Sequence, residues 1–124
     1  MMFRSSARFG ALVAFLLAFS TAALAAAPAQ IDGVTRIHLD QHNGYFAAQE
    51  TLAGLKPGTY EFVVANKAGK LAGFQLQDAS GKQLDMFPLE PGQVRTTRVE
   101  IEEGGFRYRC PINPTPWYEV SASN

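Results

Sequence analysis

Cysteine is almost absent from this sequence, and its scarcity excludes disulfide stabilisation. The 124 residues contain a single cysteine, Cys110. Small exported domains often depend on disulfides, but one thiol forms no bond within its own chain. The fold must therefore rest on packing. A lone cysteine in an oxidising compartment is also a liability, so we expect Cys110 to be either buried or used.

Neither sign of charge is in excess, which argues against a nucleic-acid partner. Lys and Arg together number 11, as do Asp and Glu, and the formal net charge is zero. Loss of Arg4 and Arg8 with a cleaved N-terminal segment would leave the chain slightly acidic. Nucleic-acid binding calls for a basic patch or stripe, so we do not expect nucleic acid as a partner.

Motifs of catalytic sites are missing as well. The sequence contains no nucleophile elbow, phosphate-binding loop, HExxH or CxxC motif. Two adjacent carboxylates, Glu102 and Glu103, stand beside Gly104, where a solvated turn is the expected structure. We therefore expect no enzymatic activity.

The long hydrophobic run of the chain lies at its N-terminus and has the pattern of a signal peptide. Arg4 and Arg8 precede an apolar run over 11–19, and Ala23-Leu24-Ala25 is an Ala-x-Ala cleavage pattern. The apolar stretch, at most 9–27, is near the lower limit of the ~20 residues that a membrane-spanning helix needs. We predict a signal peptide over 1–25 and one mature domain over 26–124, periplasmic or secreted and without a membrane span.

The mature sequence indicates short strands separated by turns. Apolar residues alternate with period two, and Gly, Pro, Asn and Asp recur about every 8–12 residues. The clearest strand, over 59–65, is apolar enough for a central position, and 47–55 is ambiguous between helix and strand. Together the pattern predicts an all-β, antiparallel Greek-key sandwich or barrel. The other predicted strands cover 36–40, 73–78, 83–87, 93–102, 106–110 and 117–120.

Cys110 ends one predicted strand and opens a loop over 111–118 that contains three prolines. Arg107 and Arg109 would face away from Cys110 in a regular strand, so no basic neighbour is expected to activate the thiol. Three interpretations stay open. Cys110 is a small buried core residue, a thiolate ligand for a soft ion such as Cu(I) with Met86 as thioether partner, or a redox-active thiol.

Two further groups of residues are candidate sites. His38, Asp40 and His42 recur with period two and would leave one face of a strand, where they could bind Cu(II), Zn or Fe; an ordinary solvated face is the alternative. Trp117 and Tyr118 follow the prolines of a rigid loop, and such aromatic side chains commonly anchor partners. Their alternative is to cap the end of the core.

Four segments, in the same order, resemble the cupredoxin family. Pro57-Gly58 leads into the central strand, Asn66-Lys67-Ala68-Gly69 ends it, and Pro91-Gly92-Gln93 precedes the penultimate strands. The run Gly105-Phe106-Arg107-Tyr108-Arg109-Cys110-Pro111 is similar to the family's Gly-aromatic-x-aromatic-x-Cys-Pro pattern. The resemblance covers most of the mature chain. It implies a cupredoxin-like fold, similar to degenerate domains related to the N-terminal domain of periplasmic iron-uptake proteins.

The resemblance also implies positions for copper ligands, and most of these hold other residues. The family's blue-copper site takes a first His near Ala72, then Cys110, a second His near Asn113 and an axial Met where Pro116 to Tyr118 stand. Such sites need two imidazoles and a thiolate. Both histidines of this chain lie far upstream in the sequence, so the resemblance implies the fold without the standard copper centre.

The function that the resemblance implies is a binding or accessory module in periplasmic metal handling or respiration, without a cofactor. Its partner would be a periplasmic or membrane-bound protein contacted through Asn113, Trp117 and Tyr118. The alternative is a non-standard copper or iron protein, for binding or electron transfer, that uses Cys110 or the histidine group. A third possibility is an immunoglobulin-like adhesion module, because Tyr108 precedes Cys110 as in a tyrosine corner.

Overall fold

The computed structural model describes residues 25–113 and 115–124, and the predicted signal peptide falls outside this part except for Ala25. The described residues form strands, turns and irregular loops. They contain no helix, and hence none long and apolar enough to cross a membrane. The strands are β1 (Ala29–Ile31), β2 (Val34–His42), β3 (Tyr45–Ala48), β4 (Gly58–Asn66), β5 (Ala72–Asp78), β6 (Gln83–Leu89), β7 (Val94–Ile101), β8 (Phe106–Arg109) and β9 (Tyr118–Val120).

These strands form two sheets packed face to face, which confirms the predicted all-β sandwich. In the first sheet, β1 and β3 pair with successive parts of one edge of β2, β4 pairs with the other edge, and β7 pairs with β4. The second sheet has the order β6-β5-β8-β9. The strand predicted as central, β4, lies between β2 and β7, as its apolar sequence requires.

One strand pair departs from the antiparallel arrangement that the sequence pattern predicted. β2 and β4 run parallel, from Val34 opposite Thr59 to Gln41 opposite Asn66. The physical reason is the connection between them. The chain turns back from β2 as β3, and the segment 49–57 then carries it onward to Gly58, where β4 starts at the same end as β2. In that segment Leu55 forms a parallel bridge with Ala122, and the helix left open by the sequence does not form.

Strict alternation of side chains builds the core between the sheets. Ile37 and Leu39 of β2 and Phe62 and Val64 of β4 are fully buried, and their sequence neighbours face outward. Aromatic rings from both sheets meet at the centre, where the Phe62 ring lies 5.1 Å from that of Phe106 in an edge-to-face contact. Burial of each such ring contributes roughly 1.5–3 kcal/mol to the free energy of unfolding. Core packing therefore provides the stability that disulfides give to other small exported domains.

Side-chain contacts cover the seam where edge strands β6 and β7 face each other. The Arg95 guanidinium lies 4.6 Å from the centre of the Phe87 ring, and the Thr97 hydroxyl donates to the Asp85 carboxylate. Inward-pointing charge on an edge strand also hinders pairing with another chain. The sandwich is therefore covered on this side by side chains rather than by backbone hydrogen bonds.

Candidate functional site

Cys110 follows β8 and points into the core. Its side chain is fully buried. Its N–H donates to the Thr115 hydroxyl at 3.2 Å, and its sulfur accepts a hydrogen bond from the Asn113 N–H at 3.4 Å. The loop after β8 thus folds around the sulfur, which is shielded from solvent and already occupied as an acceptor.

The other positions at which the resemblance implies copper ligands hold groups engaged elsewhere. Ala72 contributes only a fully buried methyl group. Asn113 lies beside the start of β5, where its side-chain Nδ2 donates to the Leu71 carbonyl at 3.2 Å. The structure therefore brings Asn113 next to Ala72 near Cys110, but neither offers an imidazole.

Tyr118 packs at the edge of the core. Its hydroxyl accepts a hydrogen bond from the Phe46 N–H at 3.1 Å, and its ring stacks on that of Tyr108 at 5.1 Å with an interplanar angle of 6°. Burial, with a smaller contribution from Tyr118, raises the pKa of Tyr108 to about 12. The phenol of Tyr118 thus joins β9 to β3 across the two sheets.

Met86 and Cys110 lie on opposite faces of the second sheet. Met86 pairs with Gln75 on the outer face and is 50% exposed, whereas Cys110 continues the inward series of Phe106 and Tyr108. A thioether and a thiol on opposite faces of a sheet cannot share an ion without a rearrangement of the strands. The structure does not bring this predicted pair together.

His38, Asp40 and His42 do share the outer face of β2, as the period-two pattern predicted, but each has its own partner. His38 Nδ1 lies 2.6 Å from a Glu50 carboxylate oxygen, Asp40 lies 3.5 Å from Lys67 Nζ, and the His42 ring stacks on Tyr45 at 4.8 Å. Among residues 25–113 and 115–124, no group of three or more His, Cys, Asp or Glu is placed to hold a metal ion.

A cluster that the sequence did not reveal lies on the outer face of the second sheet. The guanidinium carbons of Arg107 and Arg109 lie 4.2 and 4.3 Å from the centre of the Trp117 ring. Each arginine also donates from Nε to a glutamine of β5, Arg107 to Gln77 and Arg109 to Gln75, both at 2.8 Å. We call Arg107, Arg109 and Trp117 the Arg–Trp cluster. The alternation of arginines was visible in the sequence, but the contact with Trp117 requires the pairing of β8 with β9.

An apolar depression of about 300 Å³ lies on the same outer face. Met86 and Ile112, two of its side chains, are 50% and 43% exposed. Gly73 allows the loop to cover β5 here, because a Cβ at this position would lie 3.2 Å from Pro111 Cδ and 3.3 Å from Ile112 Cδ1. We call this feature the apolar depression, lined by Met86, Phe87, Pro88, Pro111 and Ile112.

The apolar depression and the Arg–Trp cluster are neighbours. Gly73 pairs with Pro88 at the depression, and Gln75, the next outward residue of β5, pairs with Met86 on one side and Arg109 on the other. Residues directly opposite in antiparallel strands share a face. The two features therefore form one continuous surface on the outer face of the second sheet.

Another depression, of about 480 Å³, lies elsewhere, between segment 52–54 and β9. Glu119 is the charged member of its lining, which also includes Tyr108, Tyr118 and Ser121. No hydrogen bond joins Glu119 to the Ser121 hydroxyl in the part of the chain that the structure describes. We place the candidate site instead on the outer face of the second sheet, where apolar and cationic groups adjoin.

No protein-family model matches the chain, and no curated protein sequence matches it.

Proposed function

We propose that the protein is an exported, cupredoxin-like accessory module that binds a partner protein through the outer face of the second sheet. The observation that carries this proposal is the continuity of the apolar depression with the Arg–Trp cluster on one face. Greek-key connections of the cupredoxin type, and a role in periplasmic metal handling or respiration, are supported by the resemblance of the four ordered segments.

The outer face of the second sheet has the residue composition that is typical of a protein-binding surface, with exposed apolar side chains beside an aromatic ring and arginines. Protein–protein interfaces are enriched in Trp, Met and Arg, and their energetic centres are rich in Trp and Arg. Here Met86, Ile112, Trp117 and the two arginines lie together. Burying Met86 and Ile112 against a partner would remove from water the apolar area that the fold leaves exposed.

Hydrogen bonds and prolines also restrain the loop at this surface, which lowers the cost of binding. Asn113 fixes the loop by two hydrogen bonds, one to the Cys110 sulfur and one to the Leu71 carbonyl. Pro111 and Pro116 restrict the backbone on either side. A surface that is ordered before binding loses less conformational entropy when the partner arrives.

The groups at the implied ligand positions do not fit a blue-copper centre, and this supports a binding role over electron transfer. Ala72 has no donor atom, the Asn113 amide donates to a backbone carbonyl, and the Tyr118 phenol closes the core. Cys110 provides one ligand where at least three are needed. The alternative is non-standard copper or iron binding. It would need a second ligand in the core beside Cys110, or movement of His38 away from Glu50 toward the other side chains of its group.

Co-purification from the envelope fraction of the native host, with matched surface variants, tests the proposal. Met86→Asp and Ile112→Asp place a charge on the proposed face, and Ile31→Asp and Val94→Asp place one on exposed apolar positions of the first sheet. We expect partners that are retained by the wild type and both controls to be lost from the two test variants. Equal retention by all four variants, each with an unchanged melting temperature, would contradict the proposal.

A further inference from the structure

We propose that the Arg–Trp cluster recognises carboxylate side chains of an extended acidic segment of the partner protein, while an apolar side chain of that segment fills the apolar depression. This inference rests on the proposed function and specifies the chemistry of the partner. The two sheets differ in the partners that they provide for the arginines on their outer faces.

On the first sheet the outward arginines are neutralised within the fold. Glu61 of β4 lies between Arg36 of β2 and Arg98 of β7 and forms ion pairs with them at 2.8 and 3.1 Å. On the second sheet, Arg107 and Arg109 contact neutral glutamines instead, and neither forms an ion pair within residues 25–113 and 115–124. Two adjacent positive charges thus remain without an ion pair within the described residues, although Glu119 of β9 pairs in register with Arg107 of β8.

The two guanidinium groups are held in place and still have donors to offer. Each uses its Nε atom on a glutamine and lies close to the Trp117 ring. Arginine has five N–H donors in a planar fork, so the Nη groups remain for an external acceptor. Such forks bind carboxylates in bidentate fashion, and their fixed position reduces the entropy lost on binding.

The spacing of the surface matches an extended chain. Gly73, Gln75 and Gln77 are successive outward residues of β5, and they mark the depression, Arg109 and Arg107 in that order. Successive outward residues of a strand are about 6.6–6.8 Å apart, and side chains on one face of any extended segment repeat at the same interval. If one residue of the bound segment is apolar and fills the depression, the residues two and four positions further along the segment lie near Arg109 and Arg107, respectively. Acidic residues at those two positions would therefore meet the guanidinium groups.

A protein segment fits this surface better than a lipid bilayer or a nucleic acid. Anionic membranes are typically bound by clusters of about 4–8 Lys or Arg, whereas this face offers Arg107 and Arg109 with Glu119 nearby. The formal net charge of the chain is zero, which gives no long-range attraction to a polyanion. The apolar depression, in contrast, matches one side chain of a peptide.

Fluorescence of the mature protein tests this inference directly, because Trp117 is the single tryptophan of the chain. The probe is a synthetic peptide with the core Leu-Thr-Glu-Thr-Glu, and its matched control is Leu-Thr-Gln-Thr-Gln. A second control, Leu-Glu-Thr-Glu-Thr, keeps the charge but moves it to the other face of the strand. We expect saturable quenching or a spectral shift with the first peptide, at least roughly tenfold weaker binding of the Gln peptide, and weaker binding of the displaced one.

Variants separate the guanidinium fork from general charge attraction. Arg107→Gln with Arg109→Gln should weaken binding by roughly tenfold or more, while Arg36→Gln with Arg98→Gln removes the same charge from the other sheet and should leave it unchanged. Arg107→Lys with Arg109→Lys keeps the charge but loses the fork, so we expect reduced affinity. Equal binding by the Lys variant, or equal losses in both Gln variants, would overturn the assignment.

Three further outcomes separate this inference from lipid binding and from the proposed function. If anionic phosphatidylglycerol vesicles change Trp117 fluorescence and the Glu peptide does not, the surface binds lipid and the inference is wrong. If neither probe binds, but co-purification still depends on Met86 and Ile112, the binding face stands and its acidic specificity is wrong. If the Glu peptide binds and co-purification is insensitive to both residues, the proposed function fails instead.

Discussion

Gly105, in the turn between β7 and β8, is the position where a single methyl group should damage the sandwich most. Its φ of 101° lies in the left-handed region, which side chains rarely adopt. A Cβ there would lie 2.8 Å from the Ala122 backbone nitrogen and closer still to the Val120 carbonyl oxygen. Both atoms belong to the backbone of the closing segment, so neither can rotate away as a side chain would.

The cost of Gly105→Ala follows from two contributions. The left-handed conformation costs a residue with a Cβ about 1–2 kcal/mol. Relief of the clash requires β9 to move away from β8, where Phe106 pairs with Val120, and an overpacked site of this kind costs typically about 1–3 kcal/mol more. The expected loss of roughly 2–5 kcal/mol is large beside a total stability of about 5–15 kcal/mol.

Urea denaturation of the mature protein measures this loss, with Gly92→Ala as the control. Gly92 has a φ of 78°, but a Cβ there would meet nothing within 4 Å. It should therefore show the conformational cost alone, about 1–2 kcal/mol. If the two variants unfold at the same urea concentration, the close approach of the closing segment to Gly105 is refuted.

Four other predictions concern ionisation, thiol exposure, metals and export. Because burial raises the pKa of Tyr108 from its ordinary 10.0 to about 12, the stability contributed by its neutral phenol is present below pH 10.0 and lost as the pH rises toward 12; Tyr108→Phe should lose less stability over that range in urea unfolding, and a decline parallel to the wild type would contradict this. Cys110 is fully buried, so we expect iodoacetamide to label it only when denaturant unfolds the protein, and labelling of the native protein at the rate of an unfolded thiol would disprove the packing role. Calorimetric titration with Cu(I), Cu(II) and Fe(II) should detect no binding that depends on Cys110 or on the pair His38 and His42, and saturable binding abolished by Cys110→Ser or by His38→Ala with His42→Ala would restore the metal-carrier alternative. N-terminal sequencing of the exported protein should begin at Ala26, whereas a mature protein that retains residues 1–25 would exclude the signal peptide.

Local sequence patterns predicted most of the strands that are buried on at least one side; β3, which buries Phe46, was not among them. The prediction over 59–65 lies within β4, that over 73–78 within β5, and both follow from alternating or continuous apolar residues. β1 escaped prediction because its residues are all exposed and carry no apolar stripe. Backbone pairing with β2 stabilises this strand instead. Asp32 and Gly33 adopt positive φ and turn the chain so that β1 and β2 pair.

The order and direction of the strands could not be obtained from local patterns. The parallel pairing of β2 with β4 depends on the length and path of segment 49–57, and no period in the sequence encodes that path.

The strand predicted over 83–87 extends to Leu89 because Pro88 lies on the edge strand β6, where no partner needs its missing N–H.

The candidate site shows the same division between local and distant information. Alternation placed Arg107 and Arg109 on the face opposite Cys110, and His38, Asp40 and His42 on one face, and both predictions are confirmed. The sequence could not show that Trp117 joins the arginines, or that Met86 and Cys110 lie on opposite faces. Both facts depend on which strands are neighbours in the second sheet.

Site-specific photocrosslinking in living cells tests the central claim most directly, namely that the outer face of the second sheet is the working surface. A photoreactive residue replaces Ile112 on that face in one variant and Val94 on the first sheet in the other, both being exposed apolar positions. We predict a discrete protein adduct from position 112 that disappears when Arg107 and Arg109 are also changed to Gln, and none from position 94. The same adduct from both positions, or an adduct from position 94 alone, would contradict the account.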